Sequence, residues 1–178
     1  THMLAWDGAT TGYGGGVSGC YLSGGLTTDY DCITLAGATV GSHRFLIEHN
    51  FIYGFRRGYS GSADDRSVLI QFNNFWNCVA GVYVPNNHPQ FTGWNDYRDC
   101  TYGIQGQLVD SKVVGQNFAY CGTGVGPIDT THYPGRVIFS GCSFAFCTTD
   151  ALVIGPQCNV VGCLIALTNV NGVAGIRL

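Results

Sequence analysis

The sequence repeats one phrase at an interval close to 22 residues. The stretch FNNFWNCVAGVYV, from Phe72 to Val84, returns as WNDYRDCTYGIQG from Trp94 to Gly106, with Asn, an aromatic residue, Cys, Gly and an aliphatic residue at matching places. Further copies give intervals of 23, 22, 21, 26 and 21 residues, counted between Ile52, Phe75, Tyr97, Phe118, Phe144 and Ile165. A period this short excludes two-helix repeats, which need about 33 residues or more. The repeat therefore predicts a solenoid in which each copy forms one turn, called a rung below.

The composition favours strands over helices. Glycine occurs 27 times, aromatic residues make up 13% and charged residues 11%, while Glu48 is the single glutamate and Lys112 the single lysine. Val, Ile, Thr, Tyr and Phe suit a pleated, half-buried surface, and glycine suits the corners between strands. The sequence predicts an all-β fold of short parallel strands, with successive rungs about 4.8 Å apart.

Residues at equivalent places in the repeat are expected to lie one above another inside the solenoid. The aromatic ladder comprises Phe75, Tyr97, Phe118 and Phe144. The thiol ladder comprises Cys78, Cys100, Cys121 and Cys147. A corner that needs positive φ or a close backbone approach is marked by Gly58, Gly81, Gly103 and Gly124. Asp31 and Asp150 are assigned to this same corner, because Asp tolerates the left-handed region better than most residues.

Nine cysteines cannot all pair within one chain, and the sequence has no CxxC motif. Such cysteines are typical of small buried apolar residues in a reducing compartment. The expectation is free thiols, no structural metal and no cofactor.

The phrases EHNFIYGF, FNNFWNCVAGVYV and QNFAYCGTGV resemble the right-handed parallel β-helices of the pectate-lyase-like superfamily, which includes the tailspike depolymerases of bacteriophages. The resemblance implies a single-stranded, right-handed parallel β-helix of about seven rungs of 21–26 residues over 17–178. Residues 1–16 then contain a partial first rung, and the opening Thr-His-Met is either a vector remnant or a natural start inside a longer chain.

The same resemblance implies a glycoside hydrolase that binds and degrades a bacterial surface polysaccharide. A protein of this kind acts in the virion tail or outside the cell, is made in a reducing cytoplasm without a signal peptide, and forms a homotrimer. The alternative is a structural or adhesive β-helix fibre segment without catalysis, because one solenoid fold hosts many functions. The repeat reaches almost to Leu178 without a polar closing segment, which predicts an oligomer or a piece of a longer chain.

An outward row follows the aromatic ladder and predicts the substrate-binding surface. Tyr53, Trp76 and Arg98 occupy equivalent places in three successive copies. Flat aromatic faces stack on the apolar face of a sugar ring, and a guanidinium either stacks on the indole or holds an acidic sugar. The competing interpretation is an aromatic patch covered by a neighbouring subunit.

Three carboxylates border that row and are the predicted catalytic residues. Asp96 and Asp99 flank Tyr97, and Glu48 lies outward two rungs earlier. Glycosidases use two carboxyl groups about 5 to 9.5 Å apart, and two rung spacings give about 9.6 Å. Solvated turn residues are the alternative for these acids.

A rival site is predicted where three insertions leave the same edge of the solenoid. It comprises Asp64, Asp65, His88, Asp129 and His132. A His beside an Asp can act as an acid–base pair or bind a metal, and plain surface loops are the alternative.

The charge pattern limits the partners. The formal net charge is −3, and the eight Lys and Arg residues form no stripe that follows a phosphate backbone, so nucleic acid is not expected. No apolar run reaches the roughly 18 residues of a membrane span, so no membrane partner is expected either. No copy of the repeat offers enough acids for a calcium cage.

Overall fold

The computed structural model describes residues 2–7, 13–26, 29–36, 43–61, 66–166 and 174–178, and these ranges form an all-β solenoid without a helix. Its strands in chain order are β1 (His2–Asp7), β2 (Tyr13–Ser18), β3 (Tyr21–Ser23), β4 (Asp31–Ala36), β5 (His43–Glu48), β6 (Phe51–Tyr53), β7 (Arg57–Ser60), β8 (Arg66–Gln71), β9 (Asn74–Trp76), β10 (Ala80–Phe91), β11 (Asp96–Arg98), β12 (Tyr102–Leu108), β13 (Lys112–Val114), β14 (Asn117–Ala119), β15 (Thr123–Gly126), β16 (Ile138–Ser140), β17 (Ser143–Ala145), β18 (Asp150–Val153), β19 (Asn159–Val161), β20 (Leu164–Ala166) and β21 (Ala174–Arg177).

The strands form three parallel sheets, and each rung passes through all three in order. The first sheet runs β1-β4-β7-β10-β12-β15-β18-β21, the second runs β2-β5-β8-β10-β13-β16-β19, and the third runs β3-β6-β9-β11-β14-β17-β20. The long strand β10 belongs to both the first and the second sheet. The predicted parallel β-solenoid is confirmed.

The aromatic ladder fills the interior of the third sheet. Phe75 and Tyr97 are register partners, as are Tyr97 and Phe118, and Phe118 and Phe144. Their ring centroids are 5.2, 4.8 and 4.7 Å apart, and each pair of rings lies within 9° of parallel. Equal spacing in sequence thus becomes vertical stacking, because each rung repeats the path of the one before it.

The number of enclosed rungs is about five rather than the predicted seven. Ile52, Phe75, Tyr97, Phe118 and Phe144 each have 0% of their surface exposed. Leu22 and Ile165, the inward residues of the terminal strands β3 and β20, are only partly buried. A terminal strand has a described neighbour on one side only, so its inward residue lacks a cover.

The corner glycines are required by close approach and not by positive φ. A Cβ on Gly81 would lie 2.7 Å from Cδ1 of Tyr97 and 2.8 Å from the carbonyl oxygen of Gly103, in the next rung. Gly58, Gly103 and Gly124 meet the next aromatic ring in the same way.

The assignment of Asp31 and Asp150 to that corner is wrong by one residue. Register places Cys32 beside Gly58 and Ala151 beside Gly124, so both aspartates precede the corner and begin β4 and β18. Each carboxylate is buried against an arginine. Asp31 accepts two hydrogen bonds from Arg56, at 2.8 and 3.0 Å, and Asp150 lies 2.9 Å from Nη2 of Arg177. The arginine partner, rather than a left-handed backbone, therefore explains why an aspartate occupies each of these positions.

A ladder of amides holds the corner between the second and third sheets. The side chain of Asn73 accepts from the backbone N–H and the amide of Asn50, and it donates to Oδ1 of Asn95 at 2.9 Å and to the carbonyl of Ile47 at 2.8 Å. Asn95 continues the ladder to Gln116 at 2.7 Å. Because all these groups are buried, each amide satisfies polar backbone that water cannot reach.

All nine cysteines are free. The thiols of Cys100 and Cys121 donate to the carbonyl oxygens of Phe75 and Tyr97, at 3.4 and 3.5 Å. Burial raises the pKa of Cys147 to about 12 and that of Cys142 to about 11. These thiols therefore act as small, neutral packing groups.

Candidate functional site on the third sheet

The outer face of the third sheet carries two rows of side chains. Tyr53, Trp76 and Arg98 are register partners and form one row, as the repeat predicts. Phe51 and Asp96 belong to the other row, which begins with Tyr21. Strand alternation turns both rows outward, because the residue between them on each strand points into the core.

Aromatic rings form a continuous contact along this face. Tyr21 stacks on Phe51 with a centroid distance of 5.1 Å and an interplanar angle of 1°. Phe51 meets Trp76 edge-on at 5.0 Å and 64°. The guanidinium of Arg98 lies 4.9 Å from the centre of the Trp76 ring. The predicted stacking of Arg98 on the indole is observed, and its other predicted role, holding an acidic sugar, stays a prediction. Tyr21 is 72% exposed and presents a flat ring at the end of the row.

Asp96 anchors this aromatic face from a buried position. The exposed fraction of its side chain is 10%. Oδ2 accepts the indole N–H of Trp76 at 3.2 Å, and Oδ1 accepts an N–H of the Asn117 amide. The Nε atom of Arg98 lies 3.8 Å from the same Oδ2. One carboxylate thus fixes side chains from three successive rungs.

The other two predicted acids lie on either side of the third sheet. Glu48 ends β5 in the second sheet, where Oε2 accepts the Gln71 amide at 2.8 Å. Asp99 follows β11 at the corner leading to the first sheet, exposed and with a φ of 53°. Glu48, Asp96 and Asp99 therefore border one face but occupy three distinct surroundings. Their predicted catalytic role stays a prediction.

The predicted loop site separates into two parts. Asp64 and Asp65 lie outside the described residues. Nδ1 of the His132 ring lies 2.8 Å from Oδ1 of Asp129, a contact within one loop. His88 instead faces Asp110, at 3.7 Å.

Asp110 also lies 3.1 Å from Nη2 of Arg136, so it links His88 and Arg136 at the corner between the first and second sheets. Asp110 was not predicted as a site residue because it lies in a short corner segment rather than in an insertion. Phe51 and Asn117 were not predicted as site residues either. Each directly precedes an inward ladder residue, so the alternation of side chains along a strand is enough to assign both to the outer face.

Two general findings bear on function. Among the residues described, no group of three or more His, Cys, Asp or Glu side chains is placed to hold a metal ion. The same part of the chain contains no helix long and apolar enough to cross a membrane.

Comparison with family models, with curated proteins and with solved structures found no match to this chain.

Proposed function

We propose that the protein binds a polysaccharide along the outer face of its third sheet. The observation that carries this proposal is the unbroken contact from Tyr21 through Phe51 and Trp76 to Arg98, anchored by Asp96. Four successive rungs contribute, which at about 4.8 Å per rung gives a surface about 14 Å long. A surface of this length suits an extended glycan chain better than a single small molecule.

The aromatic side chains on this face are held in place before any ligand arrives. Trp76 is contacted by Phe51, Arg98 and Asp96, and Asp96 is itself held by Asn117. A side chain that is already fixed loses little conformational entropy on binding. Aromatic rings supply large contact areas for the C–H faces of sugars, while polar groups beside them bind hydroxyls.

The charges on the face favour a glycan that is largely neutral at the point of contact. Arg98 is the cation of this row, and Asp96 lies 3.8 Å from its Nε atom, so the two charges compensate each other. The Nη atoms of Arg98 remain as hydrogen-bond donors for sugar hydroxyls. Glu48 and Asp99 at the borders add negative charge, which disfavours a densely acidic chain.

The more specific form of the proposal is hydrolysis of a bacterial surface polysaccharide by a tailspike-like depolymerase of the pectate-lyase-like type. Glu48, Asp96 and Asp99 are the proposed catalytic carboxylates of this form, and Asp96 also positions the aromatic row. A homotrimer that acts in a virion tail or outside the cell is part of this form. The alternative function is a non-catalytic structural or adhesive fibre segment, which needs only the solenoid.

Binding is tested by affinity electrophoresis against a panel of bacterial capsular and O-antigen polysaccharides. We expect Trp76→Ala to weaken binding by about tenfold or more, because it removes the centre of the aromatic row. Trp94→Ala is the matched control, since Trp94 is 58% exposed and lies outside the third sheet. Equal binding by the wild type and Trp76→Ala contradicts the proposal, and no binding to any glycan favours the fibre segment.

Catalysis is tested separately on any glycan that binds. Release of reducing ends by the wild type, lost in Glu48→Gln and in Asp99→Asn while binding persists, supports hydrolysis. Binding without cleavage by the wild type leaves the glycan proposal intact and contradicts the depolymerase. Light scattering at several concentrations measures the oligomeric state, and a monomer throughout contradicts the trimer.

A further inference from the structure

A cleft lies at the corner between the first and second sheets, the corner that does not border the third sheet. Its volume is about 350 Å³, and its lining includes Gln107, Tyr133, Arg136, Pro156 and Gln157. The volume is at the small end of the range for ligand pockets, which is roughly 300–1,000 Å³.

The cleft exists because one corner segment is much longer than its neighbours. The chain takes residues 127–137 to pass from β15 to β16, but only residues 109–111 to pass from β12 to β13. The C-terminal part of the long segment is held by backbone hydrogen bonds to both neighbouring rungs. Gly135 donates to Leu108 at 2.9 Å, and Gly155 donates to Pro134 at 2.7 Å.

The tip of the long segment is also held in shape. Oδ1 of Asp129 accepts the hydroxyl of Thr131 at 2.7 Å and the backbone N–H groups of Thr131 and His132 at 2.8 and 3.0 Å. Hydrogen bonds from Thr131 and His132 hold the pKa of Asp129 below its usual range. Thr131 lines the cleft, so this local network shapes one wall.

The polar groups of the cleft are suited to hydroxyl groups rather than to a net charge. Arg136 points its guanidinium at Asp110, 3.1 Å away, so its charge is compensated and its direction fixed. Gln107 and Gln157 also line the cleft. Each amide offers both donors and an acceptor, and a sugar hydroxyl needs the same combination. Tyr133 and Pro156 supply apolar surface beside them.

We propose that this cleft binds one neutral sugar unit, independently of the polysaccharide face on the third sheet. Gln107 and Gln157 bind its hydroxyls, Tyr133 contacts its apolar face, and Arg136, held by Asp110, donates to a ring or hydroxyl oxygen. The site is a second subsite on the opposite side of the solenoid, and it requires no catalysis.

The test is a titration of the whole chain followed by two-dimensional ¹H–¹⁵N NMR, which resolves glutamine side-chain amides. The probes are glucose, galactose, mannose and N-acetylglucosamine, with glucuronate and inorganic phosphate as anionic probes. We expect shifts of the Gln107 and Gln157 amides with at least one neutral sugar, with Kd on the order of 1 mM. The double variant Gln107→Ala/Gln157→Ala should weaken that binding at least tenfold.

Gln105→Ala is the matched control, because Gln105 lies on the same strand and the same face as Gln107 but is not part of the cleft lining. It should bind like the wild type. Trp76→Ala should also keep the cleft signal, so loss of the polysaccharide face and loss of the cleft are distinguished. The proposal is overturned if no neutral sugar shifts the two amides, if an anionic probe binds more tightly, or if the double variant binds like the wild type.

Discussion

The indole N–H of Trp76 donates to Oδ2 of Asp96 at 3.2 Å, although the two residues lie in different rungs and different outward rows. This diagonal contact joins the row of Tyr53, Trp76 and Arg98 to the row of Phe51 and Asp96. Asp96 is also bonded to Asn117 in the following rung. The face therefore behaves as one connected surface, and removing its carboxylate affects side chains on three rungs.

Asp96→Asn is expected to destabilise the fold by about 1–3 kcal/mol. An amide in place of the carboxylate turns an N–H₂ group toward either Trp76 or Asn117, both of which are donors, and it leaves Arg98 without its counter-charge. Urea unfolding followed by tryptophan fluorescence measures the change. Asp99→Asn is the control, because Asp99 is exposed at a φ of 53°, where Asn is well tolerated. Its change should stay within about 0.5 kcal/mol, and a larger loss than for Asp96→Asn contradicts the argument.

The vertical neighbours of the core could be predicted from sequence, and the contacts across the face could not. Phe75, Tyr97 and Phe118 stack because the repeat fixes their spacing, and a solenoid converts equal spacing into contact. Trp76 reaches Asp96 only through its side-chain conformation, which no spacing encodes. The two belong to different rows, so the ladder pattern does not pair them.

The other residues that were not predicted correctly lie where the chain departs from the period of the repeat. Asp110 meets His88 and Arg136 at a corner whose segments differ in length from rung to rung, so equivalent positions cannot be counted there. Asp31 and Asp150 were misplaced because each is followed by two apolar residues. Either of the two fits the aliphatic position of the repeat, so the copy can be aligned one residue too early. Their cation partners, Arg56 and Arg177, become apparent only in three dimensions.

Gly81→Ala is expected to destabilise the fold by about 1–3 kcal/mol through overpacking. Its new Cβ would lie 2.7 Å from the buried ring of Tyr97, which is held between two other rings and has no room to shift. Gly141→Ala is the contrast, because nothing lies within 4 Å of its Cβ and its φ is 62°. Left-handed backbone alone costs roughly 1 kcal/mol.

A second substitution at each position further distinguishes the reasons for which the two glycines are required. Gly141→Asn should recover stability relative to Gly141→Ala, since Asn accepts positive φ, whereas Gly81→Asn should be worse than Gly81→Ala. Thermal unfolding by circular dichroism ranks the four variants. The reverse order at Gly81 would show that backbone conformation, and not space, requires the glycine.

Asn73→Ala is expected to cost at least about 3 kcal/mol, because it leaves several buried polar groups unpaired at once. The amide of Asn73 donates to Ile47 and Asn95 and accepts from Asn50. Asn74→Ala, one residue along and half-buried on the outer face, should cost less than about 1 kcal/mol. Urea unfolding of both variants measures the difference. Similar losses for the two would mean that the amide ladder contributes little to stability.

Alkaline pH is expected to destabilise the protein through its buried thiols. Burial raises the pKa of Cys32 and Cys147 from 9.0 to about 12, and that of Cys142 to about 11. Below pH 9 each thiol is protonated in both the folded and the unfolded state, so it adds no pH dependence. Above pH 9 the unfolded state releases the proton while the folded state keeps it, and the free energy of unfolding falls until the folded pKa is reached. Each thiol contributes about 1.4 kcal/mol per pH unit in that window.

Urea unfolding at pH 7.5, 8.5, 9.5 and 10.5 checks this dependence. Cys147→Ala should lower stability at neutral pH but reduce the steepness of the alkaline decline, because one buried thiol no longer resists ionisation. Val125→Ala removes a buried side chain of the same interior while keeping every thiol, so it should lower stability and leave the steepness unchanged. An identical decline in the wild type and Cys147→Ala would show that other groups, and not this thiol, govern the alkaline limit.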